Sequence, residues 1–358
     1  MKKKVVSLKD QYNFMLPAEW EKHEATWIGW PFNKEDWPGK FSPIQWVYGE
    51  IVRKISQGEI VRIIVNNDKH EKDARKVLKS VGVDKGQIEY YKLETDRNWL
   101  RDAGPQFVKN HKGEVNLVEF KFNGWAKYDN HKKDKHIPGF ISKKLGLPVT
   151  TAVYNDKPVV LEGGAIDING KGTLITTEEC LMDQDVQVRN SGFTKKDYEE
   201  IFSTYLGIKN VIWLGKGIEG DDTHGHVDDL CRFVNPHTLI VVSEENEKDK
   251  NFLTLKGNYE RLQHTVLENG KKPEIVKLPM PSPVIFNGER LPASYANFYI
   301  SNSVVLVPTF NDKKDKEAIG IISEFFPDRE VCGIHAVDLV WGLGTLHCLT
   351  HEQPKGLN

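Results

Sequence analysis

Ten consecutive residues, Gly220-Asp221-Asp222-Thr223-His224-Gly225-His226-Val227-Asp228-Asp229, set two imidazoles and four carboxylates side by side. No other stretch is as dense in groups that move protons or hold cations. In an extended backbone side chains alternate, so such a run would turn His224, His226 and Asp228 to one face and Gly225, Val227 and Asp229 to the other. Two chemistries suit that face. One is a metal centre, with two nitrogens and an oxygen on one edge. The other is metal-free, with His226 as general acid and base and Asp228 as a fixed anion for a cationic substrate.

The metal reading leans on a likeness to the His-x-His-x-Asp-His run of metallo-β-lactamase-like hydrolases. Asp229 stands where that run needs its last histidine, and His264, His335 and His347 sit in no ligand-like context. The metal-free reading is therefore preferred, with no metal and no cofactor expected.

Three further stretches could join the site. Trp99-Leu100-Arg101-Asp102-Ala103-Gly104-Pro105 follows an apolar strand pattern and places an indole, a cation and an anion where loop residues overhang a pocket. Glu162 ends the apolar run Val159-Val160-Leu161, a costly place for a carboxylate without a partner, and Gly163-Gly164 permit close backbone approach. Near the C-terminus Gly342-Leu343-Gly344 leads to His347-Cys348. That run lacks the third glycine of a phosphate loop but serves as a flexible approach to a nucleophilic thiol.

The elements that must position these groups alternate. Ala25 to Trp30 reads as a strand, Ile44 to Ser56 as a helix and Ile60 to Asn67 as a buried strand. Lys69 to Val81 is a helix and Ile88 to Leu93 a strand. A strand at Gln106 to Val108 is followed by a second near Val115 and a long loop to Pro138. The alternation resumes with strand Gly172–Thr176, helix Lys195–Leu206 and strand Asn210–Leu214, then strand Leu239–Val242, helix Asn251–Glu268 and strand Ile275–Leu278. Strand Val304–Pro308, helix Lys314–Phe325 and strand Val331–His335 complete it. This is the pattern of an α/β protein. No linker-like segment divides the chain, so residues 1–358 read as one domain.

Composition narrows the classes. With 49 basic and 51 acidic residues and a formal charge of -2, nothing draws the chain to nucleic acid or an anionic membrane. No run approaches the roughly 18 apolar residues of a membrane span, and Met1 to Asp10 has a basic start without the apolar core of a signal peptide. The cysteines Cys180, Cys231, Cys332 and Cys348 are scattered, which fits a reduced, cytoplasmic chain rather than a disulfide framework.

Taken in order, these stretches resemble the agmatine deiminase branch of the guanidine-modifying deiminases, relatives of the bacterial peptidylarginine deiminases. The likeness is carried by Pro17-Ala18-Glu19-Trp20-Glu21, by Trp27 to Pro31, by Trp99 to Pro105 and by Glu162-Gly163-Gly164. The Gly220–Asp228 segment and His347-Cys348-Leu349-Thr350 through Gln353-Pro354 complete it. The resemblance implies a five-bladed, pseudo-symmetric α/β propeller with a central active site, and a homodimer.

It also implies hydrolytic deimination of a small cationic guanidine, agmatine to N-carbamoylputrescine and ammonia, a step towards putrescine and the polyamines. Cys348 would be the nucleophile and His226 the acid and base, with Glu162 as its partner. Asp102 and Asp228 would grip the guanidinium and Trp99 would stack on it. The chain departs from the branch at Arg97, at His224 and at Gly344-Thr345-Leu346. Arg97 and His224 therefore stand as candidates for contact with the substrate tail, and free arginine or peptidyl-arginine stays open as the substrate.

Overall fold

Apolar runs bounded by turn residues become buried strands here, and one-sided apolar stripes become the helices that cover them. The computed structural model describes residues 13–83 and 85–356; Met1 to Asp10, read above for a signal sequence, lie outside the described residues. Among the described residues no helix is long and apolar enough to cross a membrane.

Five mixed sheets share one internal order: a first strand antiparallel to a second, which lies parallel to a third reached through a helical crossover. Gln106–Lys109, Val115–Glu119 and Val149–Thr151 form one such unit, with helix Ile137–Leu145 in the crossover. Asp167–Ile168, Thr173–Thr177 and Asn210–Leu214 form another around helix Lys195–Leu206. Cys231–Asn235, Thr238–Ser243 and Glu274–Pro279 enclose helix Phe252–Gln263, and Tyr299–Ile300, Val304–Thr309 and Glu330–His335 enclose helix Asp315–Ser323. In the fifth sheet His23–Gly29, Ile60–Val65 and Ile88–Lys92 are parallel. Its first strand, Thr350–Pro354, comes from the far end of the chain and pairs antiparallel with His23–Gly29. A crossover helix is what parallel neighbours require.

The α/β expectation holds, and helix Lys195–Leu206 and strand Asn210–Leu214 fall where the sequence puts them. Thr194 explains the sharp start of that helix: its hydroxyl accepts from Asp197 N while Asp197 bonds back, a capping box, and Gly207 ends it at φ 72°. The strand near Val115 and the long loop after it are present, and the loop runs into helix Ile137–Leu145, an element not expected from the sequence, where a proline in the first turn costs no hydrogen bond and Gly146 supplies the left-handed cap. Two expectations are corrected. The helix expected to reach Glu268 stops at Gln263. Val159 to Leu161 form no strand, so Glu162 leads into the short turn Gly163–Ala165 instead of ending a sheet.

Buried apolar side chains form two clusters, a larger one from Trp27 to Leu349 and a smaller one beneath helix Lys195–Leu206. Trp27 and Trp30 are fully buried and belong to the larger cluster.

Candidate active site

The first strand of each unit follows a tight bend, and those bends hold the candidate residues. Asp102 lies on Leu100–Ala103 and Glu162 precedes Gly163–Ala165. His226 precedes Val227–Asp229 and Asp228 lies on it, and Cys348 lies on Leu346–Leu349. Asn297 precedes the remaining first strand, Tyr299–Ile300. The bends touch in a circuit. Leu346–Leu349 packs on Leu100–Ala103, which packs on Gly163–Ala165, which packs on Val227–Asp229. Asn297 closes it by bonding Asp229 on one side and the His347 amide on the other.

Glycine permits the close approach. A β-carbon on Gly164 would lie 2.5 Å from Nδ1 of His226, 3.0 Å from Asp102 Oδ1 and 3.1 Å from Asp228 Oδ2. Gly164 N donates instead to Asp102 Oδ1 at 3.0 Å, and Trp125 Nε1 donates to Oδ2 at 2.8 Å. Burial, with Asp228 and Glu162 nearby, still pushes the Asp102 carboxyl up to about 8. Such a carboxyl waits for a cation.

His226 sits between Asp102, 3.9 Å from Nδ1, and Glu162, 4.0 Å from Nε2. Neither ring nitrogen is hydrogen-bonded, and burial holds the imidazole down at about 3, so it rests neutral. Glu162 uses Oε1 to accept from Arg189 Nε at 3.0 Å and turns an unpartnered Oε2 towards His226. Asp228 Oδ2 meets His347 Nδ1 at 2.8 Å and the Cys348 thiol at 3.6 Å, while its Oδ1 is buried and free. Burial, Asp228, Asp229 and Asp102 together push the Cys348 thiol well up.

The ten-residue run does not alternate. His224 and Gly225 take left-handed backbone, φ 65° and 92°, before the Val227–Asp229 turn. His224 thereby points to Asp183, Nε2 to Oδ2 2.8 Å, and is not among the residues lining the cleft over Cys348. This corrects the expectation that His224, His226 and Asp228 share a face. The three ligands of the metal reading accordingly do not converge.

The four carboxylates divide their work. Asp221 folds the loop by accepting from the amides of Thr223, Gly225 and His226, and Asp222 accepts from Tyr128 Oη at 2.7 Å at the cleft mouth. Asp228 faces the thiol, and Asp229 holds Asn297.

Arg97, Trp99, Asp102, Trp125, Asp222 and Cys348 line the cleft. Trp99 is buried against Trp37, ring centroids 5.8 Å apart, so it belongs to the core and the wall at once. Arg97 pairs with Asp36 at 3.2 Å and lies over the Tyr128 ring at 4.3 Å. Gly344 is pressed between Trp99 and Cys348, which makes the Gly-x-Gly approach to the thiol a packed corner rather than a flexible one.

From the sequence alone Asn297, Arg189, Trp125 and Glu19 receive no site role. Glu19 Oε2 lies 2.8 Å from His347 Nε2, 3.3 Å from Arg101 and 3.0 Å from Arg232. Asn297 had one available signal, a lone amide inside the apolar run Ala293 to Ile300, where a polar group must find partners.

A buried thiol among carboxylates, and a neutral histidine flanked by two of them, on an α/β scaffold of repeated units mark an enzyme for a cationic substrate. The chain belongs to the Porphyromonas-type peptidyl-arginine deiminase family, whose family model matches residues 15–354. It is 32% identical over 364 residues to the agmatine deiminase of Pseudomonas aeruginosa strain LESB58, covering 95% of each. It superposes on the agmatine deiminase of Enterococcus faecalis with a TM-score of 0.89 at 28% identity, over 98% of both chains. A cysteine-to-serine variant of C. jejuni agmatine deiminase, solved with substrate bound, gives 0.84 at 27% identity, over 96% of this chain and 97% of that one.

Proposed function

We propose that this protein hydrolyses agmatine to N-carbamoylputrescine and ammonia through a thiouronium intermediate on Cys348. The observation that carries the reading is the spacing at the floor of the cleft. The Cys348 thiol stands 3.6 Å from Asp228, and Asp102 and Asp228 converge on Gly164 from separate units. Two carboxylates so placed match the planar fork of a guanidinium and can aim its carbon at sulfur.

The substrate supplies the positive charge that this site lacks. On docking it favours ionised Asp102 and a thiolate, and His226 takes the thiol proton. Sulfur attacks the guanidinium carbon; His226 gives its proton to the departing nitrogen, and ammonia leaves a thiouronium. His226, neutral again, takes a proton from the water that attacks next. The carbon–sulfur bond breaks, the hydroxyl proton passes to sulfur as the ureido product forms, and His226 gives its proton to solvent, where the ammonia released earlier is held as ammonium. Glu162 steadies the imidazolium between these steps, and Arg189 holds Glu162 in place through Oε1.

At the mouth, Asp36 offsets the charge of Arg97, so a cationic tail is tolerated there. The five repeated units, with their bends in contact, support a five-bladed α/β propeller built as one domain around this pocket. We further propose a cytoplasmic homodimer.

The deciding experiment follows ammonia and ureido product from agmatine, arginine and an arginyl peptide, with wild type and Cys348→Ala, in a chelator. Chelator-resistant turnover of agmatine that Cys348→Ala abolishes is the expected result. Turnover confined to arginine or the peptide would move the specificity and keep the chemistry. Activity that needs added metal would overturn the reading.

A further inference from the structure

We infer that Asn297 is a further catalytic residue, whose side-chain amide donates to the Cys348 sulfur and holds it as a thiolate. The inference deepens the proposed function and rests on its choice of Cys348 as nucleophile.

The orientation of the amide is forced by its neighbours. Asn297 is fully buried. Its Oδ1 accepts from Thr345 Oγ1 at 2.8 Å, from His347 N at 3.0 Å and from Cys348 N at 3.4 Å. Backbone N–H groups can only donate, so the atom that faces them is oxygen. Nδ2 is left facing the other way, with one proton for Asp229 Oδ1 at 3.0 Å and one for Cys348 Sγ at 3.1 Å. Both its protons and its oxygen are used. The side chain is locked from two elements, the turn bearing Asp229 and the turn bearing the thiol.

Such a donor is needed because the rest of the sulfur's surroundings oppose a negative charge. Asp228 and Asp229 approach from one turn and Asp102 from another, and all three disfavour the thiolate. Asp228 Oδ2 can accept from the thiol S–H, a bond that vanishes when the proton leaves. The bond from Asn297 persists in both states and strengthens when sulfur is ionised. His347, on the same turn as Cys348, turns its ring to Asp228 and Glu19 instead.

The test is the pH dependence of Cys348 alkylation by iodoacetamide in the substrate-free full chain, read as the mass of the Cys348 peptide, beside steady-state kinetics with agmatine. Asn297→Ala removes the amide donor and adds no charge beside the sulfur. Its alkylation midpoint should rise by a unit or more, about tenfold less thiolate at a given pH below the midpoint. Its kcat should fall about 100-fold with KM nearly unchanged. A folded Asn297→Ala whose midpoint matches wild type would overturn the inference, whatever its kcat.

If Asn297→Ala fails to fold, Asn297→Asp keeps the anchoring oxygen, loses the amide donor and adds a carboxylate, so its midpoint should rise further still; an unchanged midpoint there overturns it equally. A raised midpoint in an enzyme that ignores agmatine would sink the substrate assignment alone.

Discussion

The α-carbon of Gly164 presses against the ring of His226, so closely that a β-carbon there would fall 2.5 Å from Nδ1. The backbone of Gly164 is outside the left-handed region, so alanine is conformationally allowed and only the contact forbids it. Gly164→Ala should displace the imidazole, cost about 1–3 kcal/mol of stability, and lower kcat about 100-fold through misplacement of the proton carrier. Thermal unfolding and steady-state kinetics check both. A variant with full kcat would show that the imidazole's position is not critical.

Asp102 links activity to pH. Its carboxyl is raised to about 8 in the fold from an ordinary 3.8. A raised carboxyl contributes stability that is fully present below the unfolded value and lost as pH climbs through the folded one. That contribution should fade between about pH 4 and pH 8. Asp102→Asn does not titrate, so its melting temperature relative to wild type should rise across that window, while kcat/KM for agmatine drops about 100-fold or more. Melting curves at pH 5, 7 and 9 would reveal a flat difference if Asp102 ionises normally.

Arg97 and Asp36 set the charge at the mouth. Burial pushes the Asp36 carboxyl up to about 6 against the pull of Arg97, so it is largely ionised at neutral pH. Asp36→Asn leaves the Arg97 cation uncompensated on the cleft wall. KM for agmatine should rise about three- to tenfold with little change in kcat, and less so in high salt. KM for butylguanidine, which has no charge at its far end, should stay put. An equal change for both substrates would point to altered packing.

Glu19 ties the nucleophile's turn to the scaffold. It faces Arg101, Arg232 and His347 and accepts from Ile300 N at 2.7 Å. Glu19→Ala leaves Arg101 with Glu352 and Arg232 with Asp167 as their remaining carboxylates, but unpairs His347 Nε2 and Ile300 N, and should cost about 1–3 kcal/mol in urea unfolding. A loss under about 0.5 kcal/mol would mean that the remaining partners suffice.

Much of this could be read from the sequence, for local reasons. Apolar period and capping residues fixed helix Lys195–Leu206 and the central strands, because both are decided within a few residues. Asp102, Glu162, His226, Asp228 and Cys348 stood out because a carboxylate, imidazole or thiol beside glycines or an apolar run is unusual wherever it folds. Helix Ile137–Leu145 was missed because Pro138 and Gly139 read as loop until their place in the first turn is known. Strand Thr350–Pro354 gave no sign of its partner, since His23–Gly29 lies at the other end of the chain.

The sequence by itself determined the α/β alternation and the kinds of group available for chemistry, since both depend on neighbours along the chain. Only the tertiary structure decided which of those groups meet. Two left-handed residues send His224 out to Asp183 while His226 turns inward to Gly164. Packing between distant bends sets Asn297 against Cys348. Those outcomes depend on contacts between segments far apart in the chain, which local periodicity does not encode.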